Sequence, residues 1–207
     1  MKSVLGSTVR TCFAVTLLVL ESAQGYKWMS GIKIPTPLDL GKVASGMKFG
    51  DKKLAVITGT SSGLGKATTK SLLRDEGYHV IGAVRDLEKM KVVAEVEGFD
   101  KDRFTAMHLD LASFDSVNKF VQELDAFRGD RAIDKLACNA AVYQPTLDYP
   151  KWTKDGHEQQ LQINYLGHFL LASKIMPMME GSSDARIVMI GSVTGNDNTV
   201  GGGGVYP

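Results

Sequence analysis

The sequence predicts an α/β fold built on a doubly wound parallel sheet, and three observations predict it. The apolar run Leu54-Ala55-Val56-Ile57-Thr58 leads straight into the glycine-punctuated turn Gly59-Thr60-Ser61-Ser62-Gly63-Leu64-Gly65. Strand-like and helix-like segments then alternate along the chain, as parallel strands joined by right-handed crossovers require. The strand-like run at 53–58 is continuously apolar, which marks a strand covered on both faces.

The elements follow in order. A strand at 53–58 precedes a helix over 63–76, whose spacing puts Leu64, Ala67, Ser71 and Leu72 on one side, with Gly77 at its C-terminal cap. A strand at 78–84 is followed by a helix at 87–97 closed by Gly98, and a third strand spans 103–109. Ser113 caps the next helix, in which Phe114, Val117, Phe120, Val121, Leu124 and Phe127 recur at helical spacing and read as core. A fourth strand covers 133–138. A long helix covers about 155–179, interrupted or bent near Pro177, and a fifth strand covers 187–190. This is the Rossmann pattern. No internal repeat is present, and the glycine run at 201–204 reads as a loop.

The chain has 207 residues, 43% hydrophobic and 23% charged, with net charge +1. Those values suit one globular domain and give no electrostatic case for a nucleic-acid partner. Residues 1–25 read as a signal peptide: Lys2 and Arg10, then the apolar stretch Cys12 to Leu20, then Ala23-Gln24-Gly25 as a small-x-small cleavage site. The apolar stretch is too short to span a bilayer. Tyr26 follows the cut, and residues 26–50 carry Lys27, Lys33, Lys42 and Lys48 but only one acid, Asp39. A simple secretory signal is one reading. The other is a two-part plastid leader, with 26–50 as transit segment and linker and 51–207 as the nucleotide-binding domain. Removal of Cys12 with the leader would leave Cys138 alone, so no disulfide framework is expected.

The glycine turn binds a dinucleotide if the sheet forms. Gly59 turns off the strand, Gly63 lets backbone approach phosphate, and Gly65 lets the helix pack closely, with helix N–H groups facing the anion. A tight turn without ligand is the alternative. The second strand ends in Val84-Arg85-Asp86. An acid at that point would hold the ribose diol of NAD, whereas a base would hold the extra phosphate of NADP. Arg85 comes first and offers a planar two-point contact, so NADP(H) is favoured over NAD, with a solvated arginine as the alternative. Ser61, Ser62 and Lys66 add donors or charge nearby.

Asp110-Leu111 follows the third strand, where a carboxylate reaches the adenine amine or serves as a helix cap. Asn139-Ala140-Ala141 closes the fourth strand, where small residues let the cofactor pass and Asn139 bonds to neighbouring strands, or serves a turn alone. Asn164 and His168 share a helix face. Asn164 holds a water or a backbone carbonyl near the reacting centre, and His168 reads as a packing residue. Ser192 leaves the fifth strand at the carboxyl end of the sheet. There it either bonds a substrate carbonyl or pyrrole group or stabilises a turn. No metal site is expected.

Together Thr58-Gly59-x-x-x-Gly63-x-Gly65, Asp110-Leu111, Asn139-Ala140-Ala141, Asn164 and Gly191-Ser192-Val193 resemble the short-chain dehydrogenase/reductase family. Cys138-Asn139-Ala140-Ala141-Val142-Tyr143-Gln144-Pro145-Thr146 and Asn164-Tyr165-Leu166-Gly167-His168-Phe169 are similar to its light-dependent, protochlorophyllide-reducing branch. That resemblance implies NADPH as cofactor, protochlorophyllide as substrate, chlorophyllide as product, and a plastid location. It implies that Gly59, Ser61, Ser62, Gly63, Leu64, Gly65, Arg85, Asp110, Leu111, Asn139 and Ala140 line the cofactor. Ser192 would take the active-site Ser/Thr position with Asn164 beside it. Tyr143 would lie near the pigment or act as a core or lid aromatic. Peripheral thylakoid attachment and a homo-oligomer are compatible with it. A retinol-dehydrogenase-like reductase and a non-catalytic NADP-binding fragment are the competing readings.

One departure stands out. The family's Tyr-x-x-x-Lys helix does not follow Ser192, and Tyr206 is followed directly by Pro207. The expectation is a C-terminally incomplete chain, inactive alone.

Overall fold

The structure is a computed structural model that describes residues 49–144 and 149–192. The leader assignments, Cys12, the 201–204 glycine run and Tyr206 lie outside the described residues.

Five parallel strands form one sheet: β1 (Lys53–Thr58), β2 (Tyr78–Val84), β3 (Phe104–His108), β4 (Ile133–Cys138) and β5 (Arg186–Met189), in the order β3-β2-β1-β4-β5. Every pairing is parallel, with Leu54 opposite His79 on one side and Ile133 on the other. The strand order reverses between β1 and β4, which creates the switch point where open α/β sheets bind ligands.

Period-two alternation divides each central strand between two cores. Leu54 and Val56 of β1, with Ile81 and Ala83 of β2, face α3 (Phe114–Arg128), where Val117, Phe120 and Leu124 are fully buried. Ile57 of β1, with Val80 and Val84 of β2, faces the opposite core with Leu73 of α1 (Gly63–Arg74) and Met90 of α2 (Leu87–Glu97). The central strands β1 and β2 are therefore covered on both sides, as their continuous apolar runs predict, whereas β5 leaves Val188 and Met189 about half exposed.

Two helices differ from expectation. The inward stripe of α1 is Gly65, Thr69 and Leu73, while Leu64 is 58% exposed. Close packing on the sheet selects the glycine rather than the leucine, and the other inward positions follow at four-residue intervals. The helix also ends earlier, at Arg74 with Asp75 as its C-cap, and Gly77 donates its N–H to Asp75 Oδ1 at 3.0 Å rather than forming a left-handed cap.

The long helix starts later than residue 155. Residues 151–158 instead fold on themselves, with Thr153 N–H donating to His157 O at 2.9 Å across Gly156, which has φ +80. Glu158 then caps α4 by accepting from Gln160 N–H and Leu161 N–H at 2.9 and 2.7 Å. The α4 helix is composite: an α-helical start at Gln159–Leu161, a π-helical turn at Gln162–Leu166, and an α-helical body at Gly167–Ile175. A 3-10 turn at Met176–Met179 carries Pro177 and interrupts the α-helix there. Among the described residues no helix is long and apolar enough to cross a membrane.

Candidate functional site

The carboxyl ends of the strands open onto a cleft of about 500 Å³ at the switch point. Four segments wall it, the glycine turn, the end of β2, the β3–α3 turn and the end of β4, and Ile163 of α4 adds to the lining.

The glycine turn depends on its glycines for different reasons. Gly59 and Gly63 take positive φ, +73 and +53, where a side chain is strained. Gly65 is needed for space, since a Cβ there would lie 2.3 Å from Gly59 O and 2.5 Å from Asn139 Nδ2. Ser62 sits at the N-cap of α1 but makes no side-chain capping bond. The α2 and α3 helices are capped by their own sequence: Asp86 accepts from Lys89 N–H and Ser113 from Ser116 N–H. The first-turn amides of α1 thus stay available at the cleft, which suits an anion.

Thr58 holds the floor. Its Oγ1 accepts from Asn139 N–H at 2.8 Å and Ala140 N–H at 2.9 Å. Asn139 returns the contact, donating Nδ2–H to Thr58 O at 2.8 Å. Asn139 therefore bonds across to β1 and also lines the cleft. The neighbouring Cys138 thiol is pushed up to about 11 by burial, which leaves it inert as a nucleophile.

At the end of β2, Arg85 and Lys89 both line the cleft, and neither has an ion-pair partner among the described residues. Asp86 lines it too, but its Oδ1 is engaged at 2.9 Å with Lys89 N–H as the α2 cap. Lys66 does not contribute charge here. Its ammonium pairs with Glu97 at 2.7 Å, alongside Lys70 at 2.6 Å, and is drawn toward α2.

Asp110 lines the cleft while its Oδ1 accepts from Ala112 N–H at 3.0 Å, so it shapes the turn, and Ser113 is the α3 cap. Gly167 of α4 lies against this turn: a Cβ would be 2.7 Å from Leu111 O.

Asn164 sits in the π-helical turn and grips Val142 twice. Its Nδ2–H donates to Val142 O and its Oδ1 accepts from Val142 N–H, both at 2.8 Å. The side chain thus holds a backbone carbonyl, with its polar atoms spent on the segment that carries Tyr143. Tyr143 is 82% exposed, next to the cleft wall formed by Val142. His168 is 2% exposed and bonds Thr58 Oγ1 through Nε2 at 2.9 Å. Ser192 is exposed just past β5, at the carboxyl end of the sheet but outside the cleft lining.

Of the proposed cofactor residues, Gly59, Ser61, Ser62, Gly63, Leu64, Arg85, Asp110, Leu111, Asn139 and Ala140 come together around the cleft, with Gly65 beneath them. Lys89 and Ile163 line it without having been singled out in the sequence, as does Val142, which the sequence offers only within its longer motif. Lys89 had a legible signal, a second cation four residues after Arg85 and in the first turn of α2.

The short chain dehydrogenase family matches residues 53–207, which includes every segment of this cleft. The chain belongs to that family.

Among solved members, a metagenomic short-chain oxidoreductase in complex with NADP superposes with TM-score 0.59 and 26% identity, covering 73% of this chain and 66% of that one. A short chain dehydrogenase from Shigella flexneri shares the fold at TM-score 0.61 and 20% identity, covering 75% of this chain and 61% of that one. Protochlorophyllide reductase A, chloroplastic, of Hordeum vulgare is 47% identical over 161 residues, or 76% of this chain and 41% of that protein. Protochlorophyllide reductase B, chloroplastic, of Oryza sativa subsp. japonica is 40% identical over 189 residues, or 90% and 46%. The chain spans less than half the length of these relatives.

Proposed function

We propose that this short-chain dehydrogenase chain carries the cofactor-binding part of a plastid, light-driven NADPH-protochlorophyllide reductase of chlorophyll synthesis. The observation that carries the cofactor reading is the end of β2, where Arg85 and Lys89 face the cleft while Asp86 is engaged as a helix cap. That arrangement offers two cations to a ribose phosphate, while the one carboxylate at the end of β2 is turned through Oδ1 to cap α2. The protochlorophyllide reading is supported by the names of the relatives at 40–47% identity.

In this reading the uncapped start of α1, with Ser61 and Ser62, holds the pyrophosphate. Arg85 and Lys89 hold the 2′-phosphate, Asp110 meets the adenine amine, and Leu111, Asn139 and Ala140 line the passage. Bound NADPH supplies a hydride for the pigment double bond. Ser192 donates or accepts a hydrogen bond at the pigment, Asn164 fixes the Val142 backbone, and Tyr143 shields the pigment side. Residues 1–25 and 26–50 act as signal and transit segments.

The test is nucleotide titration of the full chain and its Arg85→Glu variant. NADPH affinity should fall about 10–100-fold, as expected for losing charge-assisted phosphate contacts, with NADH affinity nearly unchanged. Equal loss of both nucleotides overturns the assignment. Titration with protochlorophyllide and with a retinoid, each in the presence of NADPH, tests the substrate. Retention of the retinoid alone would favour a retinol-dehydrogenase-like reductase.

A further inference from the structure

Thr58 Oγ1 is surrounded by more partners than one hydroxyl can serve without a fixed proton arrangement. It accepts from Asn139 N–H at 2.8 Å and from Ala140 N–H at 2.9 Å. Those two donors occupy both lone pairs, and one hydroxyl proton remains. Two acceptors are within reach, His168 Nε2 at 2.9 Å and Ala137 O at 3.4 Å. The nearer one is the ring nitrogen. Were Nε2 protonated, Thr58 Oγ1 would face a third donor with no lone pair left for it. Nε2 is therefore bare, and the ring proton sits on Nδ1, which faces Asn164 O at 3.3 Å. Every group in this chain of bonds is then satisfied, inside a core where His168 is 2% and Thr58 0% exposed.

The consequence reaches both sides of the cleft. Asn164 clamps Val142 with its side chain and takes His168 Nδ1–H on its backbone carbonyl. Thr58 clamps Asn139 and Ala140. His168 stands between them. The π-helical turn at Gln162–Leu166 carries the Asn164 end of this connection, and such turns concentrate at functional sites.

We propose that His168 is a positioning residue: as the neutral Nδ1–H tautomer it orients the Thr58 hydroxyl so that Thr58 holds the Asn139–Ala140 backbone in the shape the cofactor needs, and it ties that backbone to the Asn164–Val142 clamp. Its effect on cofactor affinity rests on the cofactor reading above, whereas its effect on the two amides does not. Burial also lowers the His168 pKa, consistent with a neutral ring.

Three variants separate the two ring nitrogens. His168→Gln keeps an acceptor near the Nε2 position, His168→Asn keeps only a donor near Nδ1, and His168→Phe keeps the ring and neither group. In the full chain, Asn139 and Ala140 amide exchange should quicken about tenfold in His168→Phe and His168→Asn, relative to other β4 amides, and stay near normal in His168→Gln. NADPH affinity should follow the same order, with about a tenfold loss in the first two variants. Histidine-selective nitrogen NMR of the unsubstituted chain should show Nδ1 protonated and Nε2 bare. A proton on Nε2, or unchanged Asn139 and Ala140 exchange in His168→Phe, overturns the proposal. Quickened exchange with unchanged NADPH affinity overturns its cofactor arm. An unsubstituted chain with the assigned tautomer but no NADPH binding would leave the tautomer standing and overturn the cofactor reading instead.

Discussion

At the amino end of the sheet the charged side chains hold one another, whereas at the carboxyl end they face a cleft. Asp184, before β5, pairs with Lys53 of β1 at 2.9 Å and Lys135 of β4 at 2.7 Å. Hydrogen bonds from Lys135 first and Lys53 second hold its carboxyl well below the usual carboxylate range. Asp134 accepts from Leu54 N–H at 2.8 Å and from Ser182 Oγ at 2.6 Å, and Arg131 donates to the carbonyls of Gly50 and Lys52. At the other end, Arg85 and Lys89 have no ion-pair partner among the described residues and α1 lacks a side-chain cap. The same strands run between both ends. Stability is invested at the end where three strands begin, and unspent polar capacity is kept at the end where they stop.

That division predicts that substitutions at the carboxyl end cost binding and those at the amino end cost stability. Gly65→Ala should have the largest effect. Its Cβ would meet Gly59 O at 2.3 Å and Asn139 Nδ2 at 2.5 Å, so backbone, not only a side-chain tip, must move. Overpacking of this kind costs about 1–3 kcal/mol, and here the displaced atoms form the cleft itself. NADPH affinity should fall about 100-fold by fluorescence titration, with the far-ultraviolet dichroism of the sheet retained. Full affinity in Gly65→Ala would mean that the turn tolerates displacement and that close packing is not its basis.

Asp134→Ala should show the reverse pattern. It leaves Leu54 N–H without its acceptor between two paired strands, a loss of about 1–3 kcal/mol by thermal or urea unfolding. NADPH affinity of the folded chain should stay within about twofold. A large affinity loss would show that the two ends are coupled through β1 and β4.

What the sequence revealed follows the same division. The strands and the cleft segments were legible because each uses a local signal: continuous apolar runs, a glycine at a forced turn, a short polar stretch after a strand. Leu64 escapes its apolar periodicity because the inward stripe of its helix is Gly65, Thr69 and Leu73. There the required closeness to the sheet outweighs hydrophobicity. The start of α4 differs from the sequence reading because Asp155 does not open it: its carboxylate accepts from Phe114 N–H at 2.8 Å and Gln162 Nε2–H at 2.6 Å. Phe114 stands 41 residues away and Gln162 seven, on opposite sides of Asp155, and no local window contains both. The pairing of His168 with Thr58 spans 110 residues and was invisible for the same reason. The spacing of Asn164 and His168 was readable, but the π-helical turn that carries Asn164 was not.

The smallest expected effect lies where the two regimes meet, at Glu97, which ties α1 to α2 through Lys66 and Lys70. Hydrogen bonds from Lys66 first, then Lys70, pull its carboxyl from the ordinary 4.5 to about 2. A folded value below the unfolded one means that ionised Glu97 stabilises the fold fully above about pH 4.5. That contribution fades as pH falls through about 2. Glu97→Gln should therefore lower Tm modestly at neutral pH, and the gap to the unsubstituted chain should close as the solution is acidified through that window. Added salt should narrow the gap as well, because both lysines are partly exposed. NADPH affinity should not change, since Lys66 is drawn toward α2 and away from the cleft. A rise in affinity would carry a different lesson: that Glu97 withholds a cation which the pyrophosphate would otherwise recruit, placing Lys66 in the binding end of the molecule rather than the structural one.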